Sequence, residues 1–273
     1  MLDQYRHVYV HVPFCARRCV YCDFAVAVRA RVPVADYVDG IRAELTTRFG
    51  APRARARQPI RTLYFGGGTP SRLGGPGLAD LVGVLGAWFA WDDTAEVTAE
   101  ANPEDITSAA VRAWRAAGIT RLSIGAQTFG GDALAWMRRT HADDAAERAV
   151  EAARAGGIDD VSLDLIFALP GEVARDFDAD LARLVALAPT HVSIYGLTVE
   201  PGTPLGRWAE RRAVVEADEG RYEAEFLRAH DALTAAGYEH YEVSNFARPG
   251  HRAPGHRPRW PPCPTRLRPA STP

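Results

Sequence analysis

The chain has 273 residues and a net charge of −2, long enough to bury one large core with or without an appendage. Near-neutral charge supplies no global basic field for nucleic acid, no apolar run approaches a membrane span, and all 32 basic residues are arginine, which excludes a lysine Schiff base or a P-loop lysine. Four cysteines, three of them clustered, do not make a disulfide framework; with no signal pattern before the first strand, a reducing cytoplasm is the expected location.

In chain order, the alternating run Val8-Tyr9-Val10-His11-Val12 predicts a first strand. Cys15, Cys19 and Cys22 follow at once in the spacing C-x3-C-x2-C. Three thiolates on one loop could each hold one iron of a [4Fe–4S] cube and leave the fourth iron open. A zinc site completed by His11 or His7 is the alternative, and plain structural thiols are another. Val34, Tyr37, Val38, Ile41, Leu45 and Phe49 then recur at helical spacing. Beyond an arginine-rich connection over 51–59, a strand over 60–65 runs into Gly66-Gly67-Gly68-Thr69-Pro70. Leu78, Leu81, Val82, Leu85 and Phe89 mark the next helix. After it come a strand over 96–101, a helix over 108–117, a strand over 119–124, a helix over 143–155 and a strand over 161–167. A helix over 177–187, a strand over 191–197, a helix over 217–236 and an extended run over 238–246 complete the series.

Six strand–helix steps suit either an open doubly wound sheet or a barrel. Polar or glycine-rich residues stand at or just past nearly every strand's C-terminal end, a placement that a barrel brings to one mouth. The expected fold is therefore α/β, a partial (β/α)6 TIM-like barrel over residues 1–210, with 211–247 opening a C-terminal region. Residues 248–273 hold eight prolines, six arginines and no acid, the composition of a disordered tail. Cys263 in that tail is expected to be a passive thiol.

Several of these strand-end residues carry chemistry. The glycine run over 66–68 lets backbone approach a ligand closely, though a tight turn explains it equally. Glu100 closes its strand before Asn102-Pro103 and could bind a ribose hydroxyl or an ammonium, or simply serve a helix entry or face solvent. Gln127 could orient a carboxylate, or make a structural hydrogen bond. Arg139, in the run Arg138-Arg139-Thr140-His141, could clamp a carboxylate, whereas exposed arginines are usually solvated. Asp164 is a charge inside the apolar run Val161-Ser162-Leu163-Asp164-Leu165, costly to bury without a function or a partner. His141 and His191 lie near strand ends, and surface or turn roles are expected of both.

Taken together, Tyr9-Val10-His11-Val12-Pro13-Phe14-Cys15, Cys19, Tyr21-Cys22-Asp23-Phe24, Gly66-Gly67-Gly68-Thr69-Pro70, Gly125-Ala126-Gln127-Thr128-Phe129 and Asp164-Leu165-Ile166-Phe167-Ala168-Leu169-Pro170 resemble the radical S-adenosylmethionine superfamily. Within it they are similar to the oxygen-independent coproporphyrinogen III oxidase-like group. The resemblance spans residues 5–247. It implies that Cys15, Cys19 and Cys22 ligate the cluster and that the free iron takes the amino and carboxylate groups of S-adenosylmethionine. One electron then cleaves the sulfonium to give methionine and a 5′-deoxyadenosyl radical. It also implies that Tyr9, Gly67, Gly68, Thr69, Glu100, Gln127, Arg139 and Asp164 line the S-adenosylmethionine site.

The oxidase branch of that group carries a further cysteine two residues after the third, where this chain has Phe24, and it has a segment before the cluster. Both departures point to the other branch, haem chaperones that bind haem and hand it to an acceptor. A flavodoxin- or ferredoxin-type electron donor is implied as well. In that branch, a His-Asn-x-x-Tyr-Trp stretch and a helical domain follow Val243-Ser244-Asn245-Phe246-Ala247. Here the pattern breaks off after His251-Arg252, which points to a shifted or truncated reading frame and a shortened C-terminal extension. A true oxidase acting on a porphyrinogen is the second expectation, and a zinc-stabilised binding module the third.

Overall fold

The computed structural model describes residues 6–52, 59–91 and 93–254. Cys263 and the tail beyond residue 254 lie outside them. The chain begins with β1 (His7–Val12) and a two-stranded parallel ribbon of β2 (Phe14–Cys15) and β3 (Ala27–Val28). Helix α1 (Val34–Phe49), β4 (Thr62–Gly67), α2 (Gly74–Gly86), β5 (Glu96–Ala101), α3 (Ser108–Ala116) and β6 (Arg121–Gln127) follow. Next are α4 (Gly131–Trp136), α5 (Ala145–Ala155), β7 (Asp160–Phe167), α6 (Phe177–Leu187), β8 (His191–Gly196), α7 (Pro204–Glu210) and α8 (Glu219–Ala235). The expected last extended run is an antiparallel hairpin, β9 (Glu239–Glu242) and β10 (Asn245–Ala247).

β1, β4, β5, β6, β7 and β8 pair in parallel in chain order, and β10 and β9 extend the sheet antiparallel beyond β8. No order reversal creates a switch point, which argues against the doubly wound alternative. His7 and Tyr9 of β1 line the same cavity as His191 and Ser193 of β8. On a flat sheet those strands would stand about 24 Å apart at roughly 4.8 Å per strand, so the sheet curls into the wall of a partial barrel.

The two faces of that wall differ in chemistry. Val10, Val12, Leu63, Phe65, Val97, Ala99, Leu122, Ile124, Leu163, Leu165, Val192 and Ile194 are buried in the main core, on the helix side. The alternate residues point inward and are mostly polar: His7, Tyr9, Thr62, Tyr64, Glu96, Thr98, Glu100, Arg121, Ser123, Ser162, His191 and Ser193. Buried parallel strands normally read as continuous apolar runs; here alternation marks an interior that faces ligand space. Local signals start four of the helices, with Thr107, Asp176, Thr203 and Asp218 accepting the first-turn amides of Ala110, Ala179, Gly206 and Arg221.

Helix α8 clamps the loop that leaves β7. Ala168 adopts φ 59°, and its amide donates to Glu225 Oε2 at 2.7 Å. The same carboxylate takes Arg175 Nη2 at 2.6 Å and Arg221 Nε at 2.9 Å, while Arg175 Nη1 donates to the Ile166 carbonyl at 2.7 Å. Arg175 and Glu225 are both buried, so Glu225→Ala strands a guanidinium in the interior. A loss of about 3–5 kcal/mol in urea unfolding is expected; a loss below about 1 kcal/mol would contradict this role.

Residues 248–254 lie against the N-terminal end of the wall. Arg248 donates its amide to the Thr190 carbonyl at 2.8 Å and its guanidinium to the Ala236 carbonyl at 2.8 Å, over the ring of Tyr238. Ala253 is buried. These contacts attach the first residues of the expected tail to the barrel.

Candidate functional site

The cysteine loop is anchored before its thiols are considered. The ribbon holds its base, with Ala27 N–H on the Pro13 carbonyl at 2.7 Å and Arg29 N–H on the Cys15 carbonyl at 3.0 Å. His11 Nε2 donates to the Ala25 carbonyl at 2.8 Å. Val20, fully buried between Cys19 and Tyr21, donates its amide to the Met137 carbonyl and accepts that of Leu205. An apolar residue pins the middle of the loop, and the three thiols turn to the other side.

Cys15, Cys19 and Cys22 are half-buried and line one cavity of about 370 Å³ at the C-terminal mouth of the barrel. Gly67, Gly68 and Thr69 after β4, Glu100 on β5, Gln127 on β6, Arg139 after α4 and Asp164 on β7 line it too. Ten of the eleven expected residues therefore meet in one space. Tyr9 does not. It stacks on Tyr64, ring centroids 5.9 Å apart, and lines a second cavity of about 420 Å³ lower in the barrel. Glu100, Ser123 and Tyr195 border both cavities.

Each polar group is aimed by its surroundings. A register shift after Ile124 and φ 67° at Gln127 carry Gln127 into the cavity, as bulges beside sites do. Arg139 Nη2 donates to Asn102 Oδ1 at 2.8 Å and the Gly125 carbonyl at 2.7 Å, and its Nη1 lies 3.7 Å from Cys19 Sγ. Its buried Nε has no partner. The solvated role open to Arg139 thus gives way to a buried one, whereas Arg138 stacks over Trp208 at 5.8 Å. Thr69 Oγ1 lies 3.6 Å from Cys15 Sγ. Asp164 takes the hydroxyls of Ser123 at 2.9 Å and Ser162 at 3.3 Å; burial still holds its carboxyl above the usual range, against those bonds and one from Ser193. Burial likewise pushes up the thiols of Cys15 and Cys22.

Glu100 accepts the Tyr64 hydroxyl and the Gly67 amide, both at 2.9 Å. Burial is the largest influence on its carboxyl and, with Asp164 nearby, pushes it up to about 7 in spite of those bonds. In the ligand-free protein the folded state thus keeps a proton that the unfolded chain releases near pH 4.5. Stability is expected to fall as pH rises from about 4.5 to about 7 and to level off above that. Glu100→Gln should flatten this part of the profile of urea midpoint against pH; an unchanged slope would contradict it.

His141 and His191 depart from their expected surface roles, being 7% and 1% exposed. His141 Nε2 reaches the Ala126 carbonyl at 3.2 Å, and its Nδ1 lies 3.5 Å from Glu104 Oε2. Burial opposes the Glu104 charge, yet bonds from His141 and Thr140 bring its pKa down to about 2. Sequence reasoning also passed over the serines around Asp164. Their signal is a hydroxyl at matching phase in three apolar strands, Leu122-Ser123-Ile124, Val161-Ser162-Leu163 and Val192-Ser193-Ile194, with Ser123 opposite Ser162 and Asp164 opposite Ser193.

Residues 9–184 match the family model of the Radical SAM superfamily. The chain belongs to the radical SAM superfamily. Haem chaperone HemW of Escherichia coli (strain K12) is 35% identical over 246 residues, which cover 90% of this chain and 63% of that protein. HemW of Mycobacterium tuberculosis (strain ATCC 25618 / H37Rv) is 39% identical over 249 residues, 89% of this chain and 62% of the relative. The solved structure of coproporphyrinogen III oxidase (HemN) from Escherichia coli, a radical SAM enzyme, superposes with a TM-score of 0.78 at 25% identity over 91% of this chain and 57% of that one. The chain spans about three-fifths of the length of these HemW relatives.

The radical SAM cofactors are a [4Fe–4S] cluster and S-adenosylmethionine, and the residues present fit them. Three separate thiols facing one cavity suit three corners of a cube. A Cβ on Gly68 would stand 3.0 Å from Cys15 Sγ, so bare backbone is what leaves room beside the thiols. The partnerless Arg139 Nε gives an anionic or polar ligand a donor.

Proposed function

We propose that this chain is the radical SAM core of a haem chaperone, with Cys15, Cys19 and Cys22 holding the cluster and S-adenosylmethionine bound in the cavity beside them. The observation that carries the reading is the meeting of those thiols with Gly67, Gly68, Thr69, Glu100, Gln127, Arg139 and Asp164 around one space. When bound and reduced, the cluster supplies one electron for cleavage of the S-adenosylmethionine sulfonium. The protein's own part is placement. Gly67 and Gly68 bring backbone up to the ligand, Glu100 faces its ammonium or ribose hydroxyls, Arg139 and Gln127 face its carboxylate, and Asp164 offers a carboxylate already oriented by serine hydroxyls. Val20 and Met137, both fully buried, keep water from the back of the loop.

Haem as cargo, a haem acceptor, a flavodoxin- or ferredoxin-type electron donor and a cytoplasmic location complete the proposal. Support for the cargo comes from the HemW relatives; among the described residues, no helix is long and apolar enough to cross a membrane. The likeness to HemN favours a second reading, oxidation of a porphyrinogen. Phe24, 57% exposed at the cavity mouth, stands where that branch carries another cysteine and argues against it.

The test is anaerobic reconstitution with iron and sulfide, then reduction, addition of S-adenosylmethionine and analysis for 5′-deoxyadenosine, with haem titrated in parallel and coproporphyrinogen III offered as substrate. Cluster, 5′-deoxyadenosine and haem binding without decarboxylation support the chaperone. Decarboxylated product supports the oxidase, and a chain that takes up no cluster contradicts both.

A further inference from the structure

Asp164 stands at the inner end of a chain of hydrogen bonds that begins outside the cysteine cavity. Ser162 Oγ lies 3.3 Å from Asp164 Oδ1 and 2.8 Å from His191 Nδ1. His191 Nε2 lies 2.8 Å from the Tyr241 hydroxyl, which accepts the Ala253 amide at 3.3 Å. His191 is 1% exposed, and its ring meets that of Tyr241 edge-on, centroids 5.8 Å apart.

With the imidazole neutral and Asp164 ionised, the two ends fix the direction of every link. An amide N–H only donates and a carboxylate only accepts. Ser162 has one hydroxyl hydrogen; given to Asp164, it leaves the oxygen to accept from Nδ1–H. A neutral imidazole with a proton on Nδ1 then offers Nε2 as acceptor for the Tyr241 O–H. Donors therefore run from Ala253 through Tyr241, His191 and Ser162 to Asp164, without a reversal.

We propose that His191, as its neutral Nδ1–H tautomer, is a positioning residue for the S-adenosylmethionine site: it holds the Ser162 hydroxyl on Asp164 and ties that carboxylate to the C-terminal segment at Ala253. The inference rests on the radical SAM reading of the cavity. Without the imidazole donor, the Ser162 hydroxyl turns freely and Asp164 loses one of its fixed partners. The others, Ser123 on Oδ2 and Ser193, stay, so the site is loosened rather than lost.

The test uses the full chain, reconstituted anaerobically. Long-range 1H–15N correlation of the histidine rings, with His191 assigned by its loss in a variant, should find a proton on Nδ1 and none on Nε2. Equilibrium dialysis should find S-adenosylmethionine bound about tenfold more weakly by His191→Phe, the effect of one hydrogen bond to a charged group, at unchanged iron content. His191→Asn, whose amide can donate where Nδ1 does, should recover most of that loss. If the phenylalanine variant fails to fold, Tyr241→Phe carries the test, with mixed tautomers and about threefold weaker binding expected. A proton on Nε2, or wild-type affinity in His191→Phe or Tyr241→Phe, overturns the inference. Failure of the wild-type chain to bind S-adenosylmethionine overturns instead the reading on which it rests.

Discussion

Replacing Cys15, Cys19 or Cys22 singly by alanine is expected to leave the protein without a stable cluster after anaerobic reconstitution, and with 5′-deoxyadenosine formation lost. Three corners of a cube need three thiolates, and the described residues supply no spare thiol beside them. The fold should survive. The loop is pinned by Val20, by the β2–β3 ribbon and by His11 rather than by the thiols, and the thiols are only half-buried. Unfolding of the apo variants should thus shift by no more than about 1 kcal/mol, the scale of a change away from core packing. Iron and sulfide content with urea unfolding reads both effects. A variant that keeps a full cluster and cleaves S-adenosylmethionine at the wild-type rate would remove its cysteine from the ligand set.

Gly68→Ala is expected to disable the site by a different route. A Cβ there would stand 2.7 Å from the Pro13 carbonyl carbon and 2.8 Å from its oxygen, and these are backbone atoms that cannot swing aside. The Gly68 amide also donates to the Val12 carbonyl at 2.7 Å, so the methyl would pry the end of β4 from β1 and from the start of the cysteine loop. A loss of about 3 kcal/mol in stability is expected, at the upper end for an overpacked methyl group, together with poor cluster retention. Gly67→Ala meets both the His11 ring at 2.5 Å and an unsuitable φ of 114°, but a side chain can move where backbone cannot. The expected order of damage at the cluster is Gly68 above Gly67. Wild-type cluster content in Gly68→Ala would show that the close approach has no bearing on the loop.

Much of the wall was legible because α/β alternation writes itself in short range. The strands over 96–101 and 161–167 and the helices over 108–117 and 177–187 fall within a residue or two of β5, β7, α3 and α6. The clustering of the three cysteines was legible through spacing alone, and their ligand role only as what the resemblance implies. Helices α4 and α7 were not: six and seven residues long, they are too short to repeat an apolar period. The final hairpin was read as one extended run because its turn at Val243-Ser244 has no glycine or proline to announce it.

Tyr9 is the one expected site residue that lines the lower cavity and not the cysteine cavity. On a strand, period two puts Tyr9 on the inward face, but it does not say at which height in the barrel a side chain lies, and Tyr9 stacks on Tyr64 below the cavity mouth. The burial of His141, His191 and Arg139 was hidden for a related reason. Their partners, Ala126, Ser162, Tyr241, Asn102 and Gly125, come from other elements, and it is strand pairing and loop packing, which no local pattern records, that bring them within reach. The Arg175–Glu225 pair, 50 residues apart, was equally out of sight.

The most direct measurement of the central claim is electron paramagnetic resonance of the reduced, reconstituted chain before and after S-adenosylmethionine, with 15N in the amino group of the ligand and pulsed detection of its coupling. A cluster held by three cysteines, with its open iron in the same cavity as Glu100, Arg139 and Asp164, predicts a changed spectrum and a 15N coupling to the cluster. A cluster spectrum that ignores S-adenosylmethionine, with no 15N coupling, would contradict it.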